Sequence, residues 1–136
     1  MGKRTLTITA VCAFVLFSGI TYGQSALKES MVRGEKLYAT NCQSCHMANG
    51  KGVANAFPPL AKSDYLMEDK IRSIKQVLYG AQGKMVVNGK TYNGQMMAYD
   101  MLSNQEIADV LNYIRNTWGN NGEIVKPSEV AKVREE

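Results

Sequence analysis

The stretch Cys42-Gln43-Ser44-Cys45-His46 decides how this chain is read, because the whole sequence holds only 3 Cys and 1 His. Several chemistries use two cysteines at this spacing. Two thiols can add across the two vinyl groups of a haem. Two intervening residues let both sulfurs reach one edge of the macrocycle, and the adjacent histidine is then left facing the iron. The same pair can act as a redox dithiol, which calls for a preceding strand and a βαβ setting, and neither is visible. It can be half of a zinc site, but the remaining ligands are missing. A plain disulfide beside an unrelated His is the bland alternative. Only haem attachment agrees with the rest of the chain, namely its leader, its cysteine count and its helical pattern.

The leader begins with the basic Lys3 and Arg4, continues through the apolar Leu6, Ile8 and Ala10–Phe17, and closes on the small residues Ser18, Gly19 and Gly23. That is the pattern of a secretory signal peptide over residues 1–23, with cleavage expected after Gly23. The apolar stretch is shorter than the roughly 20 residues a membrane anchor needs, so no stable membrane insertion is expected after cleavage. Cys12 would leave with the leader. The mature chain keeps Cys42 and Cys45 and is placed in the periplasm or outside the cell, an oxidising setting.

A length of 136 residues with 45% hydrophobic and 21% charged content allows one globular domain and excludes collagen-like or disordered chains. The net charge of +4 is diffuse, and with only 3 Phe and 1 Trp there is little to stack on bases. Nucleic acid is therefore not an expected partner.

Apolar spacing predicts three main helices. The first spans about residues 26–41, with Leu27, Met31, Gly34, Leu37 and Tyr38 on one stripe. Gly34 there costs roughly 1 kcal/mol relative to Ala, which points to a second helix crossing closely. The next helix covers about residues 69–79, with Ile71, Ile74, Val77 and Leu78 inside and Gly80 as its cap. Asn88-Gly89 predicts a short peripheral hairpin over residues 85–92. Ser103 and Glu106 predict a capping box for the last main helix, which runs through Ile107, Val110, Leu111, Ile114 and Trp118 and ends at Gly119. Residues 120–136 read as a tail with a loosely held short helix, capped by Ser128 and carrying Val130 and Val133. The fold class expected is all-α.

With His46 used, no histidine is left as a second iron ligand, and the abundant methionines offer a suitable soft thioether, while a weak or absent sixth ligand would instead mark a ligand-binding haem sensor or peroxidase. Met47 is chained to the histidine side, while Met31, Met67, Met85, Met96, Met97 and Met101 stay open on residue chemistry alone.

Residues 30–119 resemble the class I c-type cytochromes, small soluble monohaem proteins. The resemblance is carried by Gly34-Glu35-Lys36-Leu37-Tyr38, Cys42–His46, Phe57-Pro58-Pro59-Leu60, Tyr92-Asn93-Gly94-Gln95-Met96, and the helix closing on Tyr113–Gly119. It implies the cytochrome c fold in residues 24–119, with three main helices around one covalent haem c. It implies iron ligation by His46 and Met96, a Pro58 carbonyl holding the other His46 nitrogen, and Leu60 against the haem. It also implies that Gly34 packs on an aromatic of the last helix, Tyr113. The chain departs from the family at Met97, where a proline usually follows the ligand, so the ligand loop lacks a fixed φ.

The function implied is single-electron transfer between redox partner proteins, not catalysis. An alternative is a dedicated haem subunit of a larger oxidase, dehydrogenase or nitrogen-oxide reductase. Lys51, Lys62, Lys84 and Lys90 lie on segments expected to surround the haem edge, where they would steer acidic partners. Leu37, Leu60, Ile74, Val77 and Leu111 are expected to pack on the haem, and the short helices predict that the chain is largely unfolded without it.

Overall fold

The computed structural model describes the backbone of residues 6–136 and the side chains of residues 23–136. The expected signal peptide thus falls, but for backbone from Leu6 onward and Gly23, outside the described residues. Among the described residues no helix is long and apolar enough to cross a membrane.

The chain forms α1 (Leu6–Asn41), α2 (Gln43–His46), α3 (Asp64–Glu68), α4 (Lys70–Tyr79), β1 (Ala81–Val87), β2 (Lys90–Met96), α5 (Asn104–Ile114) and α6 (Pro127–Arg134). The expectation of an all-α fold with three main helices is therefore corrected. The described residues hold six helices and a two-stranded antiparallel sheet. The short helices were hidden because one turn is too brief to show an apolar period.

The hairpin is longer than expected and is not peripheral. Its register runs from Ala81 opposite Met96 to Val87 opposite Lys90. Asn88 and Gly89 turn it with φ of 50° and 75°, as a two-residue hairpin of matching twist requires. Asp64 and Asn88 clasp each other: the Asn88 N–H donates to Asp64 at 2.7 Å, and the Asp64 N–H donates back to Asn88 at 3.0 Å. That clasp ties the turn to α3, and Val87 and Tyr92 are buried beneath it.

The frame of the molecule is the crossing of α1 over α5. A Cβ on Gly34 would overlap the Asp109 carbonyl and come within 2.9 Å of Tyr113 Cβ, so only glycine lets the two backbones meet. Beside the crossing, the rings of Tyr38, Tyr113 and Trp118 pack with centroids 5.1–5.5 Å apart. A polar network locks the other side. The buried Asp109 carboxylate accepts from Arg33 Nε at 2.7 Å, from a second Arg33 nitrogen at 2.9 Å, from Ser30 at 2.6 Å and from Gln105 at 2.9 Å. A two-pronged arginine and two neutral donors offset the cost of taking that charge out of water.

The capping box of α5 is present: Glu106 N–H donates to Ser103 Oγ, and the Glu106 carboxylate accepts from Ser103 N–H at 2.8 Å. The helix stops at Ile114, short of the expected Gly119. Asn120 Nδ2 donates to the Ile114 carbonyl at 2.7 Å and the Thr117 hydroxyl to that of Tyr113 at 2.6 Å, so polar side chains satisfy the last carbonyls. Trp118 then turns back with φ of 54°.

Residues 120–136 are firmly held, contrary to the loose tail expected. Asn112 grips both polar atoms of Val125, accepting from its N–H at 2.7 Å and donating to its carbonyl at 2.9 Å. Pro127 opens α6, with Lys126 rather than Ser128 as its cap. Val130 and Val133 are fully buried, each worth roughly 1.5 kcal/mol or more in apolar burial. Lys70 pairs with Glu129 at 2.7 Å and Tyr79 donates to the Val133 carbonyl at 2.9 Å.

Candidate cofactor site

The C-x-x-C-H segment leaves α1 on a backbone bond from Cys42 N–H to the Tyr38 carbonyl at 2.9 Å. The Cys42 carbonyl then accepts from Cys45 at 3.2 Å and from His46 at 3.0 Å, which winds α2 into a single turn. Both thiols are unpaired and half-buried. They line a cavity of about 500 Å³, within the usual size range of cofactor sites. Burial, and then the neighbouring Cys45, pushes the Cys42 thiol up to about 11.

His46 lines the same cavity. Its Nδ1 donates to the Pro58 carbonyl at 2.9 Å, which fixes the tautomer and leaves Nε2 free to coordinate. Burial lowers the His46 pKa, more than the Pro58 bond raises it, and so favours the neutral ring a metal needs. The loop from Met47 to Ser63 is shaped to deliver Pro58. The Gly50 carbonyl accepts from Leu60 at 2.7 Å and Ala61 at 2.8 Å. Gly52, at φ of 62°, lies so close under the loop that a Cβ would sit 2.6 Å from the Pro58 oxygen.

The other walls are apolar. Leu37 comes from α1, Leu60 from the loop, Val77 from α4, Val87 and Tyr92 from the hairpin, and Leu111 and Ile114 from α5. Of the residues expected on the cofactor, Ile74 does not line the cavity; it is buried in the core. Of the candidate methionines, Met85, Met96 and Met97 line it. Met97 is 67% exposed, whereas Met96 is half-buried. Met101 is 80% exposed and off the cavity, as are Met31 and Met67. The Met96 backbone is held against the end of α4, where a Cβ on Gly80 would overlap its carbonyl.

Sequence reasoning missed Tyr99, Val87 and Tyr92. Tyr99 lines the cavity, its N–H donating to the Val77 carbonyl at 2.9 Å and its hydroxyl to that of Asn41 at 2.6 Å. No local periodicity marks it. For Val87 and Tyr92, the alternation through Met85 and Val87 was the available signal.

Two thiols at one edge, an oriented imidazole, a half-buried thioether and apolar walls fit a flat apolar cofactor with a central metal. Such a cavity under a C-x-x-C-H turn defines a c-type haem protein. The model of the cytochrome c family matches residues 31–118, and the chain belongs to that family. It is 39% identical over 141 residues to a cytochrome c-552 of Thermus thermophilus, covering 97% of this chain and 86% of that protein. It is 31% identical over 114 residues to cytochrome c6 of Gloeothece citriformis, covering 82% and 92%. It is 36% identical over 103 residues to the cytochrome c subunit of the quinone alcohol dehydrogenase of Gluconobacter oxydans, covering 74% of this chain and 22% of that subunit. The protein is a monohaem electron carrier with covalently bound haem c.

Proposed function

We propose that the protein is an exported shuttle of single electrons between redox partner proteins, with haem c tethered through Cys42 and Cys45 and its iron held by His46 and Met96. The observation that carries this reading is the bond from His46 Nδ1 to the Pro58 carbonyl at the wall of a cavity that Met96 also lines. In this reading residues 1–23 are the export signal, residues 24–119 hold the haem, and residues 120–136 fold back onto that domain.

When bound, the haem supplies a reversible one-electron change at iron. The chain's residues do the rest. Pro58 keeps the His46 ring in one tautomer and orientation. Leu37, Leu60, Val77 and Leu111 keep water from the site and lower its dielectric. His46 and Met96 would hold the iron, and a thioether donor paired with an imidazole would raise its reduction potential relative to two nitrogen donors. Lys51, Lys62, Lys84 and Lys90 are all exposed and available to steer acidic partners into brief contact.

Absorption spectra of the purified protein, oxidised and reduced, test the proposal. The pigment should stay with the polypeptide in acidified organic solvent. Met96→Ala should abolish the methionine-to-iron charge-transfer band of the ferric form, and Met97→Ala should keep it. Pigment that extracts freely, or a band that survives Met96→Ala, overturns the assignment.

A second reading, a haem subunit of a larger dehydrogenase complex, draws on the likeness to the Gluconobacter oxydans subunit. Size-exclusion chromatography of native extract separates the two, since a shuttle elutes alone.

A further inference from the structure

We propose that Arg134 is a positioning residue for the thioether side of the haem site. From α6 it fixes the segment that joins Met96 to α5. The inference rests on Met96 being the second iron ligand. The Arg134 Nε donates to Asn104 Oδ1 at 2.6 Å, one terminal nitrogen donates to the Asp100 carbonyl at 2.9 Å, and the other donates to the Leu102 carbonyl. Two carbonyls of that segment and the side chain of the first α5 residue meet the rigid fork of a guanidinium, which sets their relative placement in a way a flexible ammonium does not.

The segment needs that help. Met97 and Met101 are 67% and 80% exposed, so the apolar anchorage of this stretch rests on the partly buried Tyr99 and Leu102. No proline follows Met96 to fix its direction. One end is held by Tyr99, through its N–H to Val77 and its hydroxyl to Asn41. Beyond Tyr99 lie the Leu102 N–H bond back to the Tyr99 carbonyl at 3.1 Å and then the Arg134 contacts. Arg134 is itself well seated, because the adjacent Val133 is buried and its carbonyl accepts from Tyr79. A helix that served stability alone would need Val130 and Val133 but no fork aimed at the ligand segment.

The test uses the intact haem protein. The methionine-to-iron band and the far-ultraviolet helix signal are followed on the same ferric sample during heating. In the parent protein the two should vanish together. In Arg134→Gln the band should fade at a lower temperature than the helix signal. Amide exchange over residues 99–103 should quicken about tenfold, with that of the α5 core unchanged. Arg134→Lys should restore part of the difference. Val133→Ala, which weakens α6 but keeps the guanidinium, should shift both signals together. If band and helix signal still coincide in Arg134→Gln, the positioning role is wrong. If Met96→Ala keeps the band in the parent protein, the ligand assignment beneath it is wrong instead.

Discussion

His46 and Pro58 are joined by one hydrogen bond, ring Nδ1–H to carbonyl at 2.9 Å, and the Phe57 and Pro58 carbonyls both close on the position a Cβ of Gly52 would take. An alanine at position 52 would meet a left-handed φ and place its Cβ 2.2 Å from the Phe57 carbonyl oxygen and 2.6 Å from that of Pro58. Gly83 also has a left-handed φ, of 87°, but nothing lies within 4 Å of its Cβ position. Gly83→Ala should therefore cost only the conformational term, about 1–2 kcal/mol. Gly52→Ala should cost more and also shift the reduction potential, because it moves the group that orients His46. Thermal melts and potentiometry on both variants check the difference.

Gly34→Ala sets two effects against each other. Helix propensity alone gains about 1 kcal/mol. Overlap with the Asp109 carbonyl is with backbone, which no rotamer change relieves, and overpacking of that kind costs about 1–3 kcal/mol. A lower denaturant midpoint is expected. A rise would show that α1 and α5 can separate freely.

Asp109 sets an acid limit on stability. Burial alone would raise its pKa, but the hydrogen bonds from Arg33, Ser30 and Gln105 outweigh that and hold it below the ordinary carboxylate value. A group depressed in the folded state contributes stability above its unfolded value, near 4, and that contribution is lost as the pH falls through the folded value. Asp109→Asn should be less stable than the parent protein at neutral pH and should lose less on acidification. Denaturation midpoints at neutral pH and below about pH 4 read both effects.

The haem cavity also sets the stability of the bare polypeptide. Without haem, the apolar side chains lining this cavity of about 500 Å³, among them Leu37, Leu60, Val77 and Leu111, lose their packing partner, and a chain this short has little other core to offset the loss. The Cys42→Ala, Cys45→Ala chain without haem should therefore show no cooperative thermal transition in calorimetry.

Much of this architecture was legible in the sequence where a local pattern encodes it. The α5 capping box, the Asn88-Gly89 turn, the end of α4 at Gly80 and the close approach at Gly34 all depend on residues within a few positions of one another or on a single residue type. What stayed hidden depends on long-range partners. Ile71 fits the inner stripe of α4 by spacing yet is 40% exposed, whereas Ile74 one turn on is fully buried. The hairpin looked peripheral because the Asp64–Asn88 clasp spans 24 positions. The firm seating of α6 depends on Asn112 and Tyr79, which no periodicity in residues 120–136 reveals.

Asn112 gives the molecule a practical boundary. Anyone trimming this chain for expression would be tempted to stop at Gly119, where the helical pattern runs out. Such a cut would remove the Val125 backbone that pairs with the buried Asn112 amide, the Val133 carbonyl that accepts from Tyr79, and the buried Val125, Val130 and Val133 side chains. A shortened protein of that kind should be obtained in poor yield, whereas tags appended after Glu136 leave every one of these contacts in place.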